Sequence, residues 1–100
     1  MTTTHLTIDL ESALAAEKSL LYFTAPWCVH CKNLNPMVEK FKNDHLEVMV
    51  VKIDTDEKRD LAGLYGVIGI PTVIALEYGA ERARHCGFID DLKLGSMFGF

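Results

Sequence analysis

Apolar positions along the chain change their period several times, and each change marks an element. Thr4 to Ile8 is a short β-prone stretch, and Asp9 is placed to cap a helix through Lys18 with Leu10, Ala13 and Leu14 on one face. Ser19 to Thr24 is a nearly continuous apolar run, which predicts a strand buried on both faces. Ala25-Pro26-Trp27 breaks that run, and from Cys28 to about Asn43 the apolar residues Leu34, Met37, Val38 and Phe41 return at helical spacing, with Pro36 as an internal kink. Leu46 to Ile53 predicts a second buried strand. The polar stretch Asp54 to Asp60 opens a short helix carrying Leu61, Leu64 and Tyr65 before Gly66. Gly69-Ile70-Pro71-Thr72 leads into a strand over Val73 to Tyr78, Gly79 makes a turn, and Glu81 to Cys86 is its hairpin partner. Ile89 to Phe98 is a last helix, with Asp90 and Asp91 near its start and Gly95 and Gly99 weakening it. The order β-α-β-α-β-α-β-β-α predicts an α/β fold: a mixed sheet with helices on both faces, parallel in its first part and closed by an antiparallel hairpin. No repeat or linker interrupts it, so residues 1–100 are expected to form one domain.

Composition supports a folded chain. With 49% hydrophobic and 24% charged residues, 100 residues suffice for a core of their own. The net charge of −4, with no cluster of Lys or Arg, provides no electrostatic footprint for nucleic acid or an anionic membrane. The N-terminal residues lack the basic start and apolar run of a secretory signal, and no apolar stretch approaches ~18 residues. Taken as complete, the chain is expected to be soluble and cytoplasmic. Three cysteines are too few for a disulfide scaffold, and an odd number cannot all pair within one chain. Their spacing is therefore the informative quantity: Cys28 and Cys31 stand three apart, and Cys86 is remote.

Cys28-Val29-His30-Cys31 falls where a strand gives way to a helix. The first helical turn offers unpaired N–H groups and the positive end of the dipole, so a thiolate held there is stabilised and becomes a nucleophile near neutral pH. The second cysteine lies one turn on, within disulfide reach and less exposed. His30 between them can add positive charge or a hydrogen bond, which favours the reduced form and makes the disulfide more oxidising. Three other readings stand beside this one. The pair could be half of a zinc site, although zinc needs about four ligands and no second close pair exists, His85-Cys86 being adjacent and distant. The cysteines could be inert core residues. The domain could also serve only as a binding module, which the intact pair argues against.

At this point the sequence resembles the thioredoxin superfamily. Ala25-Pro26-Trp27-Cys28-Val29-His30-Cys31-Lys32 looks like its active-site segment, and Pro36 matches the proline that kinks the following helix. Tyr65-Gly66-Val67-Ile68-Gly69-Ile70-Pro71-Thr72 looks like the segment holding the family's cis-proline, here Pro71, while Gly79 and Gly87 match its hairpin and last-strand glycines. The resemblance covers residues 5 to 98 and implies the thioredoxin fold. It implies thiol–disulfide exchange through Cys28 as nucleophile and Cys31 as resolving thiol, with the redox-active disulfide in place of any cofactor and no metal. It further implies that Trp27, Val29, Ile70 and Pro71 face the substrate. The partners it implies are disulfide-bonded proteins and a reductase, either like thioredoxin reductase or a glutathione system, that supplies electrons to a monomer.

Departures from the family pattern carry expectations of their own. Tyr22 stands where reducing members have a buried Asp, so resolution of the mixed disulfide is expected to be slower. Lys52 matches the lysine that pairs with that Asp, and it is left to hydrogen-bond Tyr22 or to reach solvent along its apolar stem. Val-His between the cysteines, in place of Gly-Pro, is closer to protein disulfide isomerases and periplasmic disulfide oxidases and implies a less reducing potential. Ile-Pro-Thr around Pro71, without a glutathione-binding charge pattern, speaks against a glutaredoxin. His5, His45 and His85 are expected at the surface, and Cys86 is expected to pack in the last strand, with a regulatory or dimerising thiol as the alternative. Asp54, Asp56 and Glu57 read as a solvated helix start and not a metal site. The expected activity is protein disulfide reduction. A more oxidising oxidase or isomerase, and a non-catalytic interaction module, are the alternatives.

Overall fold

A strand buried on both faces must lie inside a sheet, and Ser19–Thr24 dictates the architecture in this way. The computed structural model describes residues 10–100; the predicted strand Thr4–Ile8 and the cap Asp9 lie outside them. A helix covers 10–15 (α1), followed by β1 (Lys18–Thr24), α2 (Val29–Asp44), β2 (Met49–Asp54), α3 (Arg59–Leu64), β3 (Thr72–Glu77), β4 (Ala80–Cys86) and α4 (Asp91–Ser96). The strands form one sheet in the order β2-β1-β3-β4. β1 pairs parallel with β2, setting Tyr22 opposite Lys52, and antiparallel with β3, which pairs antiparallel with β4. This is the predicted arrangement, a parallel first part closed by a hairpin.

Alternation along β1 divides the core between the two faces of the sheet. Leu20 and Tyr22 join Leu34, Val38 and Phe41 of α2 and Leu94, Met97 and Phe98 from the C-terminal region on one side. Leu21 and Phe23 join Ala13, Val51, Ile53, Ala62, Ile74 and Leu76 on the other. Helices therefore cover both faces. α2 and α4 are tied at the surface by Lys40, which bonds the carboxylates of Asp91 and Asp44. Those hydrogen bonds push the Lys40 pKa up to about 12 and hold the Asp91 carboxyl below its usual range.

Several boundaries differ from the sequence reading for local reasons. β2 begins at Met49 and not Leu46, because His45 accepts a turn hydrogen bond from the Val48 N–H and leaves Leu46 in solvent. α3 starts late, since Asp54 Oδ1 accepts the N–H groups of Asp56 and Glu57 and holds a turn before it. Leu64 on that helix is exposed, whereas Ala62 is buried. α4 begins at Asp91, capped by Asp90 Oδ1 on the Lys93 N–H at 2.8 Å, so Ile89 and Phe98 are buried outside the helix. His45 is not a plain surface residue: it is half-buried and stacked between Phe41 and Phe100, each 4.7 Å away between centroids. His85 is also half-buried, with Nε2 2.9 Å from the Phe88 carbonyl oxygen, and His5 lies outside the described residues. Among the described residues no helix is long and apolar enough to cross a membrane.

The hairpin joining β3 to β4 turns through Tyr78 and Gly79, both at positive φ (50° and 81°), as a two-residue hairpin loop requires. A Cβ on Gly79 would stand 2.8 Å from the Leu14 carbonyl oxygen. Gly79→Ala is expected to combine a left-handed non-glycine residue with that clash. It should lower stability by roughly 2 kcal/mol, a fall in Tm of about 10 °C for a domain of this size, read by thermal unfolding.

Candidate active site

β1 ends at Thr24, and the chain passes through Ala25-Pro26-Trp27 to start α2 at Val29. Cys28 is the N-cap, in extended conformation, and its Sγ accepts the Cys31 N–H at 3.2 Å. A cap is normally a side-chain oxygen; here the sulfur occupies that place. Pro36 lies inside the same helix as expected and leaves the Lys32 carbonyl without its usual partner.

Both thiols are free and enclosed, Cys28 at 5% and Cys31 at 1% exposure, in a small cluster with Ala25 against which Ile70 packs. The Ile70–Pro71 peptide is cis, Pro71 is buried, and the Cys28 thiol points at the Ile70 carbonyl oxygen with Sγ 4.0 Å away. Burial pushes the Cys31 thiol up, and the neighbouring Cys28 thiol adds to this, while the Thr24 side chain and the Ala25 backbone pull the other way.

Around this pair the surface is apolar and open. Trp27 is 65% and Val29 67% exposed, so Trp27 is a surface ring and not a core residue. Its indole Nε1 donates to Asp56 Oδ2 at 2.6 Å, which gives one member of the acidic cluster the task of holding the ring. His30 is exposed on the first turn of α2. Ile68, fully exposed, and Phe88, half-exposed, add to the apolar surface near the cis-proline and after β4. Ile68 stands within the segment that leads to Pro71, and an apolar residue directly after Gly87 was the available signal for Phe88.

Behind the pair the arrangement departs from the sequence reading. Tyr22 is fully buried, and its hydroxyl donates toward the Cys31 carbonyl oxygen (3.1 Å) and Asn35 Oδ1 (2.6 Å). Burial pushes its pKa up, so it stays a neutral phenol. Lys52 does not hydrogen-bond the Tyr22 hydroxyl; it is exposed, with Nζ 6.0 Å from the centre of the Tyr22 ring, a cation–π distance. Thr24, Ala25, Pro26, Lys32, Asn35, Lys52, Asp54, Glu57 and Lys58 line a cleft of about 520 Å³. Asn35 and Thr24 gave no sequence signal, because only the packing of α2 on β1 brings them to the cysteines.

Cys86 is the clear correction. It is exposed and does not pack in the core, because side chains alternate along β4: Ala83 and His85 are half-buried on one face, and Arg84 and Cys86 fall on the other, uncovered one. A Cβ on Gly69 would meet its sulfur at 3.4 Å, which places the thiol beside the loop that carries the cis-proline. Among the described residues no three His, Cys, Asp or Glu side chains come together as metal ligands.

Comparison with known proteins agrees with this geometry. The family profile described as Thioredoxin matches residues 2–97. The chain is 31% identical over 91 residues to a thioredoxin of Mycoplasma genitalium, covering 90% of this chain and 89% of that protein. It is 37% identical over 83 residues to a thioredoxin of Bacillus subtilis, covering 78% and 80% respectively. A protein disulfide-isomerase of Gallus gallus is 40% identical over 80 residues, 75% of this chain but 16% of that protein. Among solved structures, a mutant thioredoxin from Halobacterium salinarum superposes with a TM-score of 0.82 at 32% identity, covering 88% of this chain and 78% of the other. Related in sequence over most of its length and alike in fold, the chain belongs to the thioredoxin family and is a thiol–disulfide oxidoreductase.

Proposed function

We propose that the protein reduces disulfides in other proteins, with Cys28 as nucleophile and Cys31 as resolving thiol. The observation that carries this is the Cys28 sulfur at the cap of α2, with the Cys31 N–H 3.2 Å away and the Ile70 carbonyl in front of it. Negative charge on that sulfur meets a backbone donor and the helix N-terminus, while its outer side faces the surface formed by Trp27, Val29 and Ile70, with Pro71 buried beneath it. A target disulfide docked there is attacked by the Cys28 thiolate. One target sulfur leaves as a thiolate and takes a proton from solvent, and the other stays joined to Cys28. Cys31 then loses its proton and attacks Cys28, the mixed disulfide breaks, and the second target thiol departs. The Cys28–Cys31 disulfide is the only redox group this cycle uses; a separate reductase, like thioredoxin reductase or a glutathione system, returns it to the dithiol. We place this activity in a single domain, acting as a monomer in the cytoplasm.

His30, Tyr22 and Lys52 tune the pair. A second reading, an oxidase or isomerase, is favoured by His30 between the cysteines, by Tyr22 where a carboxylate stands in reducing members, and by the similarity to a protein disulfide-isomerase. Equilibration with glutathione separates the two readings.

With dithiothreitol as electron source, the wild type is expected to reduce insulin. Cys28→Ser should abolish turnover, and Cys31→Ser should accumulate the mixed disulfide, seen by mass spectrometry. A wild type that neither reduces insulin nor reacts at Cys28 with a thiol reagent would overturn the reading. His30→Pro should make the pair more reducing by ~30 mV, a tenfold change in the exchange constant with glutathione. Tyr22→Asp is expected to shorten the lifetime of the mixed disulfide at some loss of stability, followed by rapid mixing and circular dichroism; an unchanged lifetime in the folded variant would count against the tuning role of Tyr22.

A further inference from the structure

The resolution step makes a strict demand on where Cys31 stands. Its sulfur must meet the Cys28 sulfur while a target is joined there, and a displacement of about 1 Å at a reacting centre costs on the order of a hundredfold in rate. The helix that carries Cys31 is weakened close by. Pro36 has no N–H to return to the carbonyl of Lys32, the residue after Cys31, so the first turn of α2 is joined to the rest of the helix by one main-chain bond fewer.

We propose that Asn35 is a positioning residue for this step: together with the Tyr22 hydroxyl it forms a strut across the Pro36 kink that holds the turn bearing Cys31. The proposal rests on the oxidoreductase reading of the Cys28–Cys31 pair and adds to it a residue that acts through another.

Cys31 and Asn35 stand four apart on α2, neighbours on one side of the helix. That side is apolar at Leu34, Val38 and Phe41, and Asn35 is the polar residue at its rim, half-buried and at the wall of the cleft. The Tyr22 hydroxyl reaches both turns, lying 2.6 Å from Asn35 Oδ1 and 3.1 Å from the Cys31 carbonyl oxygen. A phenol has one proton, and the two acceptors share it. The hydroxyl thereby couples the two turns beside the place where the main-chain bond is missing. Tyr22 is a firm anchor for it, 1% exposed on β1 and set between Lys52 of β2 and Val73 of β3.

Cys31 is held in this way at both of its peptide groups. Its N–H donates to the Cys28 sulfur at 3.2 Å, and its carbonyl accepts the Tyr22 hydroxyl. The other two residues around the pair do not supply the strut: Lys52 Nζ stands 6.0 Å from the Tyr22 ring centre, and His30 is exposed on the first turn. In the step itself the Cys31 thiolate gives an electron pair to the Cys28 sulfur, the Cys28–target bond breaks, and the target thiolate takes a proton from solvent. The strut exchanges neither proton nor electron. It acts on the position of Cys31 alone.

The test is rapid mixing of the reduced protein with a fluorescent peptide disulfide, resolving formation of the mixed disulfide from its breakdown. Asn35→Leu, which keeps the bulk and favours the helix but lacks the amide, should slow breakdown by roughly 3–10-fold, the worth of one neutral hydrogen bond, and leave formation within twofold. Tyr22→Phe should do the same, and the double variant should be no slower than either single one, because both cut one strut. In a Pro36→Ala background, where the Lys32 carbonyl regains a main-chain donor, Asn35→Leu should no longer slow the step. Asn35→Ala carries the same comparisons where the leucine variant does not fold. Breakdown at the wild-type rate in the folded Asn35 variants, a double variant slowed by the product of the two single effects, or an effect undiminished in the Pro36→Ala background would overturn the proposal. A wild type that forms no mixed disulfide at all would instead refute the oxidoreductase reading beneath it.

Discussion

The hydrogen bond from the Cys31 N–H to the Cys28 sulfur is the interaction on which the site depends. Helix starts leave N–H groups without partners, and proteins usually satisfy one with the side-chain oxygen of a cap. Here the cap is the reacting atom itself. The need of α2 for a cap and the need of a thiolate for a donor are met by one contact, so the geometry that starts the helix also sets the distance between the two cysteines. For α2 to start there, β1 must end at Thr24 with its last residues buried, and β1 is held by β2 on one side and β3 on the other. The sheet thus delivers two sulfurs to one place with little freedom left.

How far the sequence alone reaches depends on the range of each signal. β1 was legible because a strand covered on both faces needs an unbroken apolar run, and α2 because Leu34, Val38 and Phe41 repeat at helical spacing. The cysteine pair and Pro71 were legible as short motifs. Leu46 was misplaced because a turn hydrogen bond from Val48 to His45 outweighs its β propensity. Cys86 is exposed against expectation because nothing local tells which face of an edge strand is covered; only the packing of the whole sheet leaves the Arg84 and Cys86 face open. The stack of His45 between Phe41 and Phe100 joins residues far apart in sequence, and so does the approach of Asn35 to Tyr22.

A phenol at residue 22, in place of a buried carboxylate, changes the packing of the core as well as its chemistry. An ionised carboxylate in this interior carries a large desolvation penalty unless paired, and Lys52, opposite residue 22 on β2, is exposed with its Nζ 6.0 Å from the Tyr22 ring centre. A tyrosine fills the same space with an aromatic ring, packs with Leu20, Leu34 and Val73, and has its hydroxyl bonded on the α2 side. Among the described residues no buried side-chain nitrogen or oxygen lacks a partner, so the exchange leaves no unsatisfied polar atom in the core. It also ties β1 to the carbonyl of the resolving cysteine, a contact that a shorter carboxylate does not span in the same way.

The exchange therefore moves a burden from folding to chemistry. A neutral, pinned phenol stabilises the interior at all ordinary pH values but accepts no proton from Cys31, whose thiol burial already holds in the protonated form. Resolution then depends on whatever polar group connects that sulfur with water. A longer-lived mixed disulfide suits an enzyme that rearranges disulfides better than one that only reduces them, so the tuning proposed for Tyr22 and for His30 would bear on the same choice from opposite sides of the pair.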